Sequence, residues 1–187
     1  MIYITLILLC MSLILIANAF GGADVAMTLY HVTVLTAAVI AVDGIGAYLL
    51  RRLPERVVRY EGRLFAVTKG ELAFYRRIGI KHWKRIVPDL GCFTQFPKEH
   101  LAEPHEAAYT SRYLLEAAYG IIIHAVNVPT GFLILFIFPE VALTVALPVA
   151  LVNAVLSALP LFVLRSNFPA LVRLHRHNLR RTANAVA

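Results

Sequence analysis

The positions of the basic residues constrain the fold of this chain more than any other feature. All 18 Lys and Arg residues lie in two blocks, Arg51 to Arg112 and Arg165 to Arg181. Segments 1–50 and 113–164 contain none, in a chain that is 59% hydrophobic with a mean hydropathy of +0.71. A Lys or Arg at the centre of a membrane helix costs roughly 2.5–3.5 kcal/mol on insertion scales. Long segments without basic residues therefore predict an integral membrane protein.

The apolar segments predict an all-α membrane domain with four transmembrane helices. A hydrocarbon core about 30 Å thick requires about 20 helical residues. Segments that satisfy this requirement lie at about 1–20, 24–50, 113–138 and 141–164. The first is expected to be retained as a helix rather than removed as a signal peptide, because no basic residue precedes its apolar run. No second, soluble domain is predicted.

The charge of the connecting segments predicts the orientation in the membrane. The turns at 21–24 and 139–140 contain no Lys or Arg, whereas segments 51–112 and 165–187 contain all of them. The positive-inside rule therefore places both turns outside and both termini in the cytoplasm. Segment 51–112 alternates apolar and basic side chains, which predicts amphipathic helices in the cytoplasmic headgroup region. No recognition motif accompanies the net charge of +7, so nucleic acid is not expected as a partner.

Ionisable residues inside the spans indicate a functional site, because they are costly in a membrane. These residues are His31, Asp43, Glu116 and His124. Glu116, His124 and Asn127 can face one cavity at about 100° per helical residue. Asp43 is expected in the same inner leaflet. A buried network that only holds the helices together is the alternative, and it is the favoured interpretation for His31 and for Asn153.

A histidine near a carboxylate is the usual general-base pair. We therefore expect His124 to take a proton from a hydroxyl, Glu116 to orient it, and an activated acyl group to be attacked directly. The sequence has no serine nucleophile motif, and His175 and His177 fall on opposite sides of a helix, so no metal site is predicted. No tightly bound cofactor is predicted either; acyl-CoA or another acyl thioester would be the co-substrate. Its phosphates would match Lys81, Lys84, Arg85 and Arg165.

Several motifs resemble the glycosyl-4,4'-diaponeurosporenoate acyltransferase family. The stretch from Phe74 to Lys84 is similar to the family's, and an acidic residue, Asp89, follows Trp83 at the family's spacing of six. A glutamate followed eight residues later by a histidine matches Glu116 and His124. An Arg-x-Asn-x-Pro element after an apolar helix matches positions 165–169. The resemblance covers roughly residues 60–175.

The resemblance implies transfer of a fatty acyl group to a sugar hydroxyl of a glycosylated carotenoid in the bacterial cell membrane. It implies a substrate site that contains Trp83, Lys84, Asp89, Arg165 and Asn167. The position of Ile121 is acidic in the family, so the chain is a divergent relative whose acceptor could be another glycolipid or lipid alcohol. Membrane lipids, the acyl donor and the acceptor are the expected partners, and a homo-oligomer stays open.

Asp43 and Asn127 are further candidates for substrate binding. Two other functions also remain open. The same residues would also fit a non-catalytic lipid-binding or scaffolding subunit of a membrane complex, which the small size and Ile121 favour. An ion or proton path through Asp43, Glu116 and His124 is a third interpretation, and it would require an oligomer because four helices leave little room for a pore.

Overall fold

A computed structural model describes residues 2–87 and 101–186 of the protein. Within these ranges the chain is all-helical and has no strand, as the sequence predicts. Four helices there are long and apolar enough to cross a membrane, and they occupy Tyr3–Phe20, Val25–Leu50, Ala107–Phe136 and Pro139–Asn184. The predicted class, a multi-span helical membrane protein, is therefore confirmed at this level.

The α-helices are α1 (Ile2–Phe20), α2 (Val25–Leu50), α3 (Lys69–Arg77), α4 (Ile80–Trp83), α5 (Ala107–Thr130) and α6 (Leu147–Val186). Short 3-10 helices lie at Arg63–Phe65, Gly131–Phe136 and Pro139–Val141, and one π-helical turn covers Ala142–Ala146. Between α2 and α5, the described residues thus form two short α-helices, α3 and α4, and the 3-10 helix Arg63–Phe65.

The turn between α1 and α2 lies where the sequence predicts it. Gly22 has φ +81°, a left-handed conformation that favours glycine. The Asp24 side chain accepts a hydrogen bond of 2.8 Å from the backbone N–H of Met27 and so caps the start of α2. Together these two residues end one span and begin the next.

The last two long helices have different ends from the predicted spans. α5 begins at Ala107 rather than at 113, and it ends at Thr130, after which the chain continues as a 3-10 helix. Pro129 removes a backbone donor at this point. α6 continues through Arg165 to Val186. Hydropathy shows where the apolar stretch ends, but the helix can continue beyond it. Arg, Leu and Ala are good helix formers and favour such a continuation.

The described chain forms two units. We call Met1–Leu50 with Ile123–Ala158 the apolar unit, and Arg51–Ile122 with Leu159–Ala187 the basic unit. Every Lys and Arg of the sequence falls within the bounds of the basic unit. The two basic blocks of the sequence are thus grouped in one unit, although 52 residues without a basic side chain separate them in the chain (113–164).

The core of the apolar unit is made of aliphatic side chains at helical spacing. Val32, Leu35 and Val39 of α2 are buried and pack against Val145 and Val149 of the fourth span. Large apolar side chains of α1 are instead exposed; they include Leu8, Leu9 and Leu13. An exposed apolar helix surface of this kind suits contact with lipid.

The basic unit has a core of its own, in which Phe65 and Phe168 stack with ring centroids 5.7 Å apart. The backbone N–H of Glu71 donates 3.1 Å to the Thr68 hydroxyl, so a Thr-x-x-Glu capping pattern starts α3. Gly79 has φ +65° and separates α3 from α4. These local signals position α3, on which Glu71 and Tyr75 lie.

Candidate active site

A cluster of amide and carboxyl side chains lies within the apolar unit. Asp43 is on α2, Asn127 on α5 and Asn153 on α6. Asn127 is 7% exposed, and its Oδ1 lies 3.7 Å from the position that a Cβ on Gly46 would occupy. The side chain of Asn153 interacts with the carboxyl group of Asp43. We call Asp43, Asn127 and Asn153 the polar cluster.

Gly131 provides the space that Asn153 occupies. A Cβ built on Gly131 would lie 2.6 Å from the Asn153 Nδ2 atom and 3.4 Å from the Val39 Cγ2 atom. Real Cβ contacts of 2.6 Å do not occur, so a side chain at position 131 would require the Asn153 amide to move. The backbone at the end of the third span is therefore in direct contact with the amide of the fourth.

Three polar atoms of this cluster make no hydrogen bond of normal geometry to the part of the protein that the structure describes. They are Asp43 Oδ1, Asn127 Oδ1 and Asn153 Nδ2, and all three are buried. A buried polar atom without a partner costs about 1–3 kcal/mol. Two acceptors and one donor are thus held at a cost in stability, and such costs are characteristic of functional sites.

His124 precedes Asn127 by three residues on α5, so the two side chains lie on one side of the helix. The histidine is partly buried. Glu116 belongs to the basic unit and His124 to the apolar unit. The pairing of Glu116 with His124 that the sequence suggests stays a prediction, as does the role of His124 as a base.

Glu116 has a partner that the sequence did not suggest. Its Oε2 atom accepts a hydrogen bond of 3.1 Å from Arg51, and the Glu116 side chain is 14% exposed. Near it, the hydroxyl of Tyr119 donates 2.6 Å to the carbonyl of Leu53. These contacts connect α5 with the chain that follows α2 within the basic unit.

Arg165, a predicted substrate-binding residue, is bound within the basic unit. Its Nε and Nη2 atoms form an ion pair with the carboxylate of Glu71, with 2.8 Å between Nη2 and Oε2. Nη1 donates 2.9 Å to the carbonyl of Leu64, and Nη2 donates 3.2 Å to that of Ala66. Arg165 therefore joins α6, α3 and the preceding loop.

The same carboxylate also accepts a hydrogen bond from the Tyr75 hydroxyl. The Arg165 guanidinium beside Glu71 lowers the pKa of this carboxyl below its usual value. Burial raises the pKa of Tyr75, and its hydrogen bond to the Glu71 carboxylate acts in the same direction. Glu71 is thus ionised and Tyr75 protonated near neutral pH.

Two of the predicted substrate-binding residues come together in the basic unit. Lys84 Nζ donates 3.3 Å to Asn167 Oδ1, although 83 residues separate them in the chain. The indole of Trp83 donates 3.0 Å to the carbonyl of Ile78, which fixes the ring against α4. Asp89 lies outside the described residues. The structure therefore brings the Trp-Lys motif next to the Arg-x-Asn-x-Pro element.

The basic unit contains a second group of buried polar side chains, which the sequence did not suggest. His175 Nδ1 lies 2.9 Å from the hydroxyl of Thr110, which itself donates to the carbonyl of Glu106. Asn178 Nδ2 donates 2.9 Å to the carbonyl of Pro104. His175 and Asn178 are three apart on α6, which is the signal that could have indicated a shared face.

These features define a small multi-span membrane protein that keeps carboxyl, amide and imidazole groups among apolar helices. A family model described as glycosyl-4,4'-diaponeurosporenoate acyltransferase matches residues 60–177. The chain belongs to this family, as the resemblance in its motifs suggests. No curated protein and no solved structure matches the chain.

Proposed function

We propose that the protein is a membrane-bound acyltransferase that moves a fatty acyl group from an activated donor to a hydroxyl of a glycosylated isoprenoid or another glycolipid. The match of the family model to residues 60–177 carries this proposal. The donor is acyl-CoA or another acyl thioester, and the reaction occurs at the cytoplasmic leaflet of the bacterial cell membrane. The positive-inside rule supports this side, because all basic residues fall in segments 51–112 and 165–187.

The reaction needs one base and one site for the developing oxyanion. The acceptor hydroxyl oxygen attacks the thioester carbonyl carbon, and its proton passes to the base. The intermediate collapses with cleavage of the C–S bond, and the base returns the proton to the thiolate. The products are an ester and a free thiol. We assign the base to His124, because imidazole is the usual general base near neutral pH and His124 lies on the same side of α5 as the buried Asn127.

The other candidate residues receive separate roles. Asp43 and Asn127 present buried acceptor oxygens that a sugar hydroxyl could satisfy. Lys84 and Asn167, with Trp83, would bind the polar part of the donor near the cytoplasmic surface. Asp89 stays a candidate for the same task.

In this proposal, Glu116 and Arg165 do not contact the substrate. They form ion pairs that stabilise the structure around the site. Each is engaged by an oppositely charged side chain, Arg51 and Glu71 respectively. An ion pair that is largely buried releases its partner only at a high cost. They would therefore hold the helices of the basic unit together.

A transfer assay tests the proposal. The purified protein in lipid nanodiscs is incubated with labelled palmitoyl-CoA and glycosyl-4,4'-diaponeurosporenoate, or with the same carotenoid acid without its sugar. We expect label in the glycosylated acceptor alone. His124→Ala should lower kcat by about 10²–10⁴-fold. The matched control is His31→Phe, which removes another intramembrane imidazole but keeps an aromatic ring beside Phe138. Full turnover by His124→Ala would refute the role of His124.

A non-catalytic lipid-binding subunit is the second candidate function. The two ion pairs Arg51–Glu116 and Arg165–Glu71 favour it, because they occupy charged groups that a catalytic site would otherwise use. This function predicts no turnover with any acyl thioester, together with stable co-purification with a larger membrane enzyme. Label transfer by the purified protein alone would exclude it.

A further inference from the structure

A largely apolar groove lies in the apolar unit, between α1, α2 and α6. Its walls include Cys10, Ile14, Thr36, Val39, Val152 and Asn153. The space between the walls, including the open side, is about 360 Å³. The groove is open on one side, so an alkyl chain would lie along its apolar wall rather than be enclosed by it.

Asn153 belongs to both the groove wall and the polar cluster. Its side chain lines the groove and also interacts with Asp43. Its Nδ2 atom, the amide donor through which it interacts with Asp43, makes no hydrogen bond of normal geometry to any described residue. A ligand that fits both features has an apolar chain and, at one point, an oxygen that accepts a hydrogen bond. A fatty acyl thioester has this form.

The length of the groove distinguishes between the fatty acyl chain of the donor and the conjugated chain of the carotenoid acceptor. On α1 the wall residues extend from Ile7 to Ile14, and on α6 from Val149 to Leu156. Seven helical residues cover roughly 10 Å, about a third of a hydrocarbon core about 30 Å thick. A flexible alkyl chain can bend into so short a groove. The stiff conjugated chain of a carotenoid acceptor is longer and cannot.

We infer that this groove binds the fatty acyl chain of the donor and that Asn153 donates a hydrogen bond to its carbonyl oxygen. The inference rests on the proposed acyl transfer. Attack on the thioester places negative charge on this oxygen, and a positioned amide N–H stabilises that charge. The terminal torsion of asparagine is broad, so the amide can turn Nδ2 toward a chain in the groove. Asn153 is then a catalytic residue.

The first experiment measures the chain-length preference. Val152→Phe fills the groove, whereas Val155→Phe makes the same change three residues later on α6, where the side chain is 58% exposed and outside the groove wall. For Val152→Phe we expect the ratio of kcat/KM for palmitoyl-CoA to that for octanoyl-CoA to fall about tenfold, an effect typical of small size changes in apolar pockets. Val155→Phe should keep the wild-type ratio. An unchanged ratio in Val152→Phe would overturn the inference.

The second experiment tests Asn153 itself. Asn153→Asp has nearly the same shape but no N–H donor, and Asn153→Ala has no polar group. We expect both to lower kcat by about 10²-fold, as removal of an oxyanion donor does, with KM for palmitoyl-CoA little changed. Ser157→Ala, one turn further along α6 and also buried, is the control. A wild-type kcat in Asn153→Asp would overturn the carbonyl contact.

A third measurement separates this inference from the proposed function. A palmitoyl-CoA thioether with a diazirine on its chain is cross-linked to the wild-type protein, and labelled peptides are mapped with and without excess palmitoyl-CoA. We expect competed labels at the groove walls of α1 and α2. Acyl transfer with competed labels elsewhere would overturn the groove and leave the function intact. Competed groove labels without transfer to any acceptor would overturn the function and leave chain binding intact.

Discussion

Arg165 on α6 binds the carboxylate of Glu71 on α3 through two nitrogen atoms, although 94 residues separate the two in the sequence. The two side chains are only 17% and 21% exposed. The carboxylate also accepts a hydrogen bond from Tyr75, and the guanidinium also binds the Leu64 carbonyl. One charged residue of the Arg-x-Asn-x-Pro element therefore organises the segment that contains the Trp-Lys motif.

Glu71→Gln should destabilise the protein by roughly 2 kcal/mol, because hydrogen bonds to charged groups are each worth about 1.5–3 kcal/mol and the neutral amide cannot pair with Arg165. Thermal unfolding in detergent, followed by circular dichroism, measures the change in Tm. Glu55→Gln removes an exposed carboxylate of the same unit and should leave Tm within error of the wild type. Equal Tm values for all three proteins would show that the ion pair contributes nothing.

The stability contributed by Glu71 should depend on pH in one direction. Its pKa in the folded protein is lowered, mainly by the hydrogen bond to Arg165. A lowered pKa contributes stability that is fully present above the unfolded value of about 4.3 and is lost as the pH falls through the folded value. The Tm difference between wild type and Glu71→Gln should therefore shrink below about pH 4. A difference that stayed constant or grew on acidification would contradict this assignment.

Gly131→Ala should be destabilising by about 1–3 kcal/mol, the usual cost of overpacking. The new methyl group would lie 2.6 Å from Asn153 Nδ2. Because that contact is specific, Asn153→Ala should recover most of the loss in the double variant, and a double-mutant cycle of Tm values measures the coupling. Gly44→Ala, where a Cβ meets nothing within 4 Å, is the matched control and should be tolerated. Additive losses would mean that the two residues do not touch.

Lys84→Ala should weaken recognition of the phosphates of the donor. We expect KM for palmitoyl-CoA to rise about twofold to fivefold, since an exposed charge pair is worth up to about 1 kcal/mol. KM for a palmitoyl thioester of N-acetylcysteamine, which has no phosphate, should not change. Lys69→Ala, on the exposed first turn of α3, controls for loss of charge in general. An equal rise in KM with both donors would refute phosphate recognition by Lys84.

The sequence predicts the class of fold well because a bilayer imposes one simple rule on it. Basic residues are excluded from the part of a helix that crosses the hydrocarbon core, and the number of spans follows from the lengths of the segments without them and the turns that divide these segments. The helix ends were predicted less well. Arg165 marks the end of an apolar stretch, yet α6 continues to Val186, because nothing in the backbone requires a helix to stop where its hydropathy falls.

The candidate site could be predicted in part. Asp43 and Asn127 are visible in the sequence because polar residues in apolar spans are rare. The position of Asn153 beside them depends on Gly131, whose role in leaving space for the amide appears only when helices are placed side by side. The ion-pair partner of Arg165 could not be predicted either. The sequence offers many acidic residues, and only the packing of the helices selects Glu71.

The most direct test of acyl transfer is the stoichiometry of the reaction of the purified protein. Palmitoyl-CoA and the carotenoid glycoside are incubated with it in nanodiscs, while mass spectrometry counts acylated acceptor and a thiol reagent counts free CoA. We expect one new ester for each thiol released, and neither without the acceptor. Thiol release that is independent of the acceptor, or the absence of any ester in the presence of both substrates, would contradict the proposal that this protein is an acyltransferase.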